Sequence, residues 1–442
     1  MNTLGSFGAA RSVSSSAPSS LSLGLRFLLV SVTAALGLAG CAVTPGSAPA
    51  TQSATRSSAA PATANPTATL SPTPVLSPTP APPLSFVATG DMHTARVSAT
   101  ATLLQNGRVL IAGGYSTPDL TWTFYASAEI YDPATGKFTT TGSMSAARAN
   151  ATATLLADGR VLIAGGQGCS NPKHCTNIRS GDIQQDLLSA DIYDPATGRF
   201  TGTGSMTGAL ATYSTVATLL PDGRVLIAGL DVGLAELYDP TTGKFVRTGK
   251  EAPVGSPMTS TLLPNSKVLV TGSSDGLDTV AQLYDLASGR FTTISLALPA
   301  GDQAPSRGFD RQPPETATLL KDGRVLLFEG GYTETYDPAT GACADAGFIS
   351  PGDQWDFPTA TLLPDGRVLF EGGILGWSST SARPHTNTAV LLDPTGGPTR
   401  TGSTQVARQG QTATLLPDGS VLIAGGQSTD GDPFASAELF KP

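Results

Sequence analysis

Charge is scarce in this sequence: Asp, Glu, Lys and Arg make up 14% of the 442 residues, and histidine occurs only 3 times. The body contains no basic run, and the formal net charge is −8. No nucleic-acid partner is expected, because such binding draws most of its affinity from Lys and Arg neutralising phosphates. Long apolar stretches of helical period are missing too, which argues against a helical body. What is plentiful is turn-forming residues, 50 Gly and 34 Pro, the composition of short strands joined by tight turns. The length would hold two or three average domains, yet all-β architectures commonly run longer as one unit.

One long apolar run lies near the N-terminus. Arg11 and Arg26 accompany the stretch LRFLLVSVTAALGLAG (Leu25 to Gly40), which is too short for a comfortable membrane span and reads as a signal peptide. It ends in Leu38-Ala39-Gly40-Cys41, which resembles the lipobox of bacterial lipoproteins. The resemblance implies lipidation at Cys41 and an extracytoplasmic protein anchored to the cell membrane or outer membrane. Ala42, rather than Asp, follows the cysteine, so an outer-membrane location stays open. Acyl chains hold a protein on a bilayer at about 0.8 kcal/mol per buried methylene. Residues 42–84 are rich in Pro, Ser, Thr and Ala; with few large apolar side chains they form an extended linker rather than a core. The expected organisation is therefore signal peptide 1–41, linker 42–84 and folded body 85–442.

Within the body one phrase recurs seven times, among its copies ATLLQNGRVLIAGG (Ala101 to Gly114), ATLLADGRVLIAGG (Ala153 to Gly166), ATLLPDGRVLFEGG (Ala360 to Gly373) and ATLLPDGSVLIAGG (Ala413 to Gly426). Each is two apolar strands around Asp-Gly or Asn-Gly, residues that tolerate the positive φ of a two-residue hairpin turn; the fourth copy departs with Asn265-Ser266. A second phrase follows, as in SAEIYDPATGKFTTTGSM (Ser127 to Met144) and SADIYDPATGRFTGTGSM (Ser189 to Met206). It is another hairpin, turned by Asp-Pro and a later Gly. Thr102 and Thr414 stand 312 residues apart over six repeats, a mean of 52, the length of a four-stranded blade. The last copy stops at SAELFKP (Ser436 to Pro442), while SFVATGDMHTAR (Ser85 to Arg96) matches KFTTTGSMSAAR (Lys137 to Arg148) position by position. The N-terminal strand is thus expected to complete the last blade and remove the open edges.

These residues resemble kelch repeats, in the version found in the propeller of galactose oxidase and many bacterial surface proteins. The match covers the Gly-Gly pairs Gly113-Gly114, Gly165-Gly166, Gly330-Gly331, Gly372-Gly373 and Gly425-Gly426, and Tyr131, Tyr193, Tyr238, Tyr284 and Tyr336. Phe138, Phe200, Phe245 and Phe291 stand where the family usually has Trp. The resemblance implies an all-β, seven-bladed kelch-type β-propeller closed by an N-terminal strand D. It implies no particular activity, since propellers host unrelated ones.

In such a meander the A to B and C to D turns share one face, and the longer B to C and D to A connections share the other. The second face is the candidate binding surface, because function concentrates in variable loops on a rigid scaffold. On it fall Trp122, Trp355, Trp377, His93, His174 and His385, tryptophan being enriched at binding sites. Arg96, Arg148 and Arg408 each precede a strand A threonine by six residues and are read as converging on an anion near the channel mouth, or else as bonding neighbouring carbonyls. Glu329 and Glu371 replace the usual alanine beside Gly-Gly. As buried carboxylates they need partners, whether a cation, an acid–base role, or ion pairs with Arg307, Arg311 or Arg383. Cys169 and Cys175 bracket one exposed loop and are a disulfide candidate. With His174 they offer three zinc ligands and no fourth nearby, so no metal is expected. Cys343 is expected as a buried thiol.

The foremost functional reading is a surface-displayed, monomeric, non-catalytic module, without cofactor or metal, that takes a glycan or protein ligand on its loop face. The rivals are a carbohydrate-active or oxidase-type extracytoplasmic enzyme on a kelch scaffold, and a structural component of the cell envelope. The copper site of galactose oxidase needs two histidines, two tyrosines and a cysteine joined to one of them. No cysteine here lies beside a suitable tyrosine, so none of that site is carried over.

Overall fold

The computed structural model describes residues 84–117, 121–169, 178–179, 185–207, 215–230, 234–248, 256–273, 279–296, 313–350, 354–376, 384–394 and 397–442. The signal peptide, nearly all of the linker, Cys41, Cys175, His174, Trp377, Arg307, Arg311 and Arg383 lie outside these residues, and so does the side chain of Cys169.

Every named element among the described residues is a β-strand. Seven four-stranded antiparallel sheets repeat one plan. In blade 1, strand A is Thr100–Leu103, B is Val109–Ala112, C is Ser127–Asp132 and D is Lys137–Ser143. Blade 7 takes A, B and C from Gln409–Leu415, Val421–Gln427 and Ala437–Lys441. Its strand D is the N-terminal Ser85–Ala88, with Ser85 opposite Lys441 and Ala88 opposite Glu438. Strand A of each blade packs against strand A of both neighbours all the way round, which closes the ring and puts the A strands innermost. The fold is a seven-bladed β-propeller, as the repeat predicts.

The A to B turns differ in detail from the expected two-residue type. Leu104 N donates to Arg108 O at 2.8 Å and Gly107 N to Leu104 O at 2.9 Å, so the loop is Gln105, Asn106 and Gly107. Only the glycine, at φ 80°, is left-handed. The Asn or Asp before it instead accepts the N–H two residues on, as Asp158 Oδ1 does from Arg160 N at 3.0 Å, which ties down a three-residue loop. In blade 4 Ser266 takes the left-handed place at φ 63°.

Among the described residues there is no single central core. Strand B is buried on both faces because a neighbouring blade covers each, and successive residues enter different seams. Val109 and Ile111 pack with Leu416 and Leu422 of blade 7, whereas Leu110 and Ala112 pack with Val161 and Ile163 of blade 2. Among the described residues seven such clusters occur, one per seam. The recurrent Thr-Gly-x-Met of strand D tightens them. Thr141 Oγ1 meets Tyr193 OH of the next blade at 2.9 Å, Gly142 N donates to Gly198 O at 2.9 Å, and Met144 fills the seam. Glycine is required there because a Cβ on Gly142 would stand 2.6 Å from the Gly198 oxygen.

Candidate functional site

The segment leading into strand A on the loop face carries most of the residues singled out by the sequence. Arg96, Arg148 and Arg408 are each at most 1% exposed, and they hold the same position in three blades. Arg148 Nη1 donates to the carbonyls of Gly165 and Ser189 at 2.7 and 2.8 Å, and Nη2 to Ser189 Oγ and Asp191 Oδ2, both at 3.0 Å. Arg96 makes the corresponding bonds to Gly113, Ser127 and Glu129, and Arg408 to Gly425, Ser436 and Glu438. Of the two readings, the bonds to carbonyls are found and the convergence on one anion is not: each guanidinium bonds two carbonyls and a buried acid of its own blade. The physical reason is that in these three blades strand C places an acid opposite strand B, Glu129 opposite Ile111, Asp191 opposite Ile163 and Glu438 opposite Ile423. The acid takes up the guanidinium locally.

Each arginine also joins two blades. Its own carbonyl accepts the second glycine N–H of the preceding blade: Gly426 N to Arg96 O at 3.0 Å, Gly114 N to Arg148 O at 2.8 Å, Gly373 N to Arg408 O at 2.9 Å. The acid accepts a main-chain N–H from the preceding connection, such as His93 N to Glu129 at 2.7 Å and Gln405 N to Glu438 at 2.8 Å. Burial pushes the Arg96 and Arg148 guanidinium pKa values down, against the pull of their acids. For Glu129 burial acts upward, but the His93 main-chain and ring bonds and Arg96 outweigh it, and the carboxyl is held below the usual range.

Blade 6 shows the same device in apolar form. Trp355 stands six residues before Thr361, the arginine position, and is fully buried rather than presented to solvent. Its Nε1 donates to Gly372 O at 2.6 Å, as the arginines do to their glycines, and Val390 occupies the acid position opposite Phe370. The charge pair is exchanged as a unit. The offset of six from the strand A threonine was the signal that could have placed Trp355 in the core.

The remaining candidates are dispersed. Trp122 is half-buried in an aromatic group with Tyr115 and Phe124, at 4.7 and 6.1 Å between ring centres, and this group packs on Ala147 and Ala149. His93 is exposed and its Nδ1 lies 3.0 Å from Glu129. His385 Nδ1 lies 3.0 Å from Gln427 O, across the seam to blade 7. Glu371 holds the alanine position of blade 6, opposite Thr359 as Ala112 is opposite Thr100. In blade 5 it is Phe328, opposite Thr316, that holds the position, and Glu329 is one residue further along. The two carboxyls are thus not equivalent, because strand B of blade 5 contains one extra residue. Cys343 is a buried thiol.

A feature that sequence reading missed lies two residues after each arginine or its tryptophan substitute. Ser98, Asn150, Phe357 and Gly410 are all left-handed, with φ of 51°, 53°, 55° and 69°. Ser98 N donates to Gly410 O at 2.9 Å and Asn150 N to Ser98 O at 3.1 Å, so these residues link blade to blade around the loop-face mouth of the channel, at the top of the innermost strands. Gly410 fits such a backbone, and Ser and Asn tolerate it. Phe357 does not fit it readily, since a bulky residue at positive φ is strained. It is also 46% exposed. Its N–H donates to Glu315 Oε2 at 2.5 Å. The common offset of four before the strand A threonine is visible in the sequence, but nothing in it announces the sign of φ.

Among the described residues no group of three or more His, Cys, Asp or Glu is arranged to hold a metal ion. A family model described as Kelch motif matches residues 96–145. No curated protein matches the sequence. Among solved structures the chain is similar to a fungal alcohol oxidase of the AA5 family in complex with copper, at 16% identity and a TM-score of 0.57, covering 81% of this chain and 76% of that one. It is similar also to a streptogramin B lyase, at 10% identity and a TM-score of 0.52, covering 80% and 97% respectively. At such identities the likeness concerns the fold alone, and the motif and the sheet plan together make that fold a seven-bladed kelch-type β-propeller.

Proposed function

We propose that this chain is a lipid-anchored, extracytoplasmic binding module that takes a glycan at the loop-face mouth of its propeller. The observation that carries the reading is Phe357: a large, exposed aromatic held in a strained conformation at a ring position where other blades carry Ser98, Asn150 and Gly410. Backbone strain of this kind persists where the surrounding structure imposes it, and it clusters at ligand clamps. The mouth thereby offers an aromatic face, a hydroxyl, an exposed amide and the Glu315 carboxylate, a set suited to a sugar ring with one apolar face and hydroxyl edges. The anchor rests on the lipobox ending in Cys41.

The test is an array of immobilised glycans probed with the full chain and with Phe357→Gly. Capture by the parent and its loss in the variant is the expected result. Absence of capture by the parent on every glycan would overturn the glycan reading, and a protein ligand would then be the alternative for the same face. Labelling with a radioactive fatty acid in a bacterial host, abolished by Cys41→Ser, tests the anchor; labelling that survives the substitution would contradict it.

A further inference from the structure

Glu371 sits at the junction of blades 6 and 7, with 0% of its surface exposed. Its Oε1 accepts from Thr359 Oγ1 at 2.6 Å and from Gln411 Nε2 at 3.2 Å, while the same Nε2 donates to the Glu371 main-chain oxygen at 3.2 Å. These two acceptors fix which end of the Gln411 amide carries nitrogen. Two atoms are then left over: among the described residues neither Glu371 Oε2 nor Gln411 Oε1 has a hydrogen-bond partner. Both are acceptors, and they belong to two side chains already joined by one N–H···O bond. Buried acceptors without a hydrogen are costly, and a buried carboxylate without a bonded cation more so.

We propose that Glu371 is protonated in the folded protein and forms a two-point carboxylic acid–amide pair with Gln411. In it Glu371 Oε2–H donates to Gln411 Oε1 while Gln411 Nε2 donates to Glu371 Oε1. One proton satisfies both orphaned atoms and makes the pair a neutral latch across the seam. The charged groups that act on the site do not supply a substitute. Arg408 acts on it, but its Nη donors are committed to Gly425, Ser436 and Glu438, its Nε bonds neither orphaned acceptor, and Glu438 is itself an acid that opposes ionisation of Glu371. Burial is the largest influence on the carboxyl and raises its pKa, against smaller downward pulls from Thr359, Gln411 and Arg408.

The sign of the pH effect follows. A carboxyl whose folded pKa lies above its unfolded value, about 4.3 for Glu, stabilises the fold fully below that unfolded value. Its contribution is lost as pH rises through the folded value, about tenfold in the folding constant per pH unit between the two.

The experiment is infrared spectroscopy of the full chain in heavy water, titrated upward in pH, beside urea unfolding over the same range, for the parent and for Glu371→Gln. The amide of that variant reproduces both bonds without a titrating proton. Expected are a protonated-carboxyl carbonyl band in the parent that outlasts the ordinary Glu range and is missing from the variant, and a parent stability that declines relative to the variant as pH rises. An ionised carboxyl in the parent at mildly acidic pH would overturn the proposal, as would a stability that rises with sodium or potassium at constant ionic strength, since a cation would then fill the gap. Should Glu371→Gln not fold, the parent band alone decides, and Gln411→Leu should move its disappearance to a different pH.

Discussion

At Arg148 the chain carries a charge into the buried interior, and the energetics of that residue turn on its partner. Removing one member of a buried ion pair leaves an uncompensated charge and typically costs about 3–5 kcal/mol, whereas an apolar pair of similar volume is often neutral. Blade 6 has made that exchange with Trp355 and Val390. Urea unfolding is therefore expected to show Asp191→Val as strongly destabilised and the double variant Arg148→Trp with Asp191→Val as more stable than that single variant. A double variant no better than the single one would mean that the two positions are not coupled. Glu129 adds a pH dependence of the opposite sense to that of Glu371. Its folded pKa lies below the unfolded one, so its stabilisation is present at neutral pH and is lost as pH falls through the folded value. Thermal unfolding between neutral and acidic pH should show this loss in the parent and less of it in Glu129→Gln, which is less stable throughout. Phe357→Gly should retain the parent stability or exceed it, since a left-handed non-glycine residue carries a strain on the order of 1 kcal/mol; a clear fall in melting temperature would make Phe357 a structural residue and not a ligand platform.

Among the elements, the strand Ser85–Ala88 matters out of proportion to its four residues. It covers the outer edge of Ala437–Lys441, and Phe86 meets Phe440 at 5.1 Å between ring centres. Without it, blade 7 ends in an unpaired edge that is a template for another chain. Deleting residues 85–92 is expected to yield associating or aggregating protein by light scattering, with lowered thermal stability. A monomer with the parent's melting temperature would show that closure is dispensable. The B to C connections are elements of a different kind. In blade 1 this connection folds back as Tyr115–Ser116 and Thr121–Phe124, and it holds Trp122 against Tyr115 and Phe124. In blade 5 the same connection is only Gly330 and Gly331. That variation gives the loop face a relief which the uniform turns of the other face lack.

For the molecule as a whole, the placement of the core at seven seams makes each blade depend on both neighbours. The two carboxyls discussed above act at two of those seams, so stability is expected to decline toward acid through Glu129 and toward alkali through Glu371. The blade count, the order of strands and the closing strand were legible in the chain itself, because short hairpins are specified by local features: alternating apolar residues, Asp-Gly and Asp-Pro turns, and a repeat that returns every 52 residues or so. The candidate site was legible only as a face. What Arg96, Arg148, Arg408 and Trp355 do depended on which strand C residue stands opposite strand B, and the arginine and its acid lie 30 to 43 residues apart in the chain. Likewise the left-handed residues Ser98, Asn150 and Gly410 are linked by backbone bonds between successive blades, and Phe357 is tied to the Glu315 side chain of the preceding blade. The sequence by itself determined the propeller, since its elements are local and repeated. The tertiary structure alone decided which polar residues are buried clasps and which are left at the mouth, since burial and hydrogen-bond satisfaction belong to the closed ring and not to any one repeat.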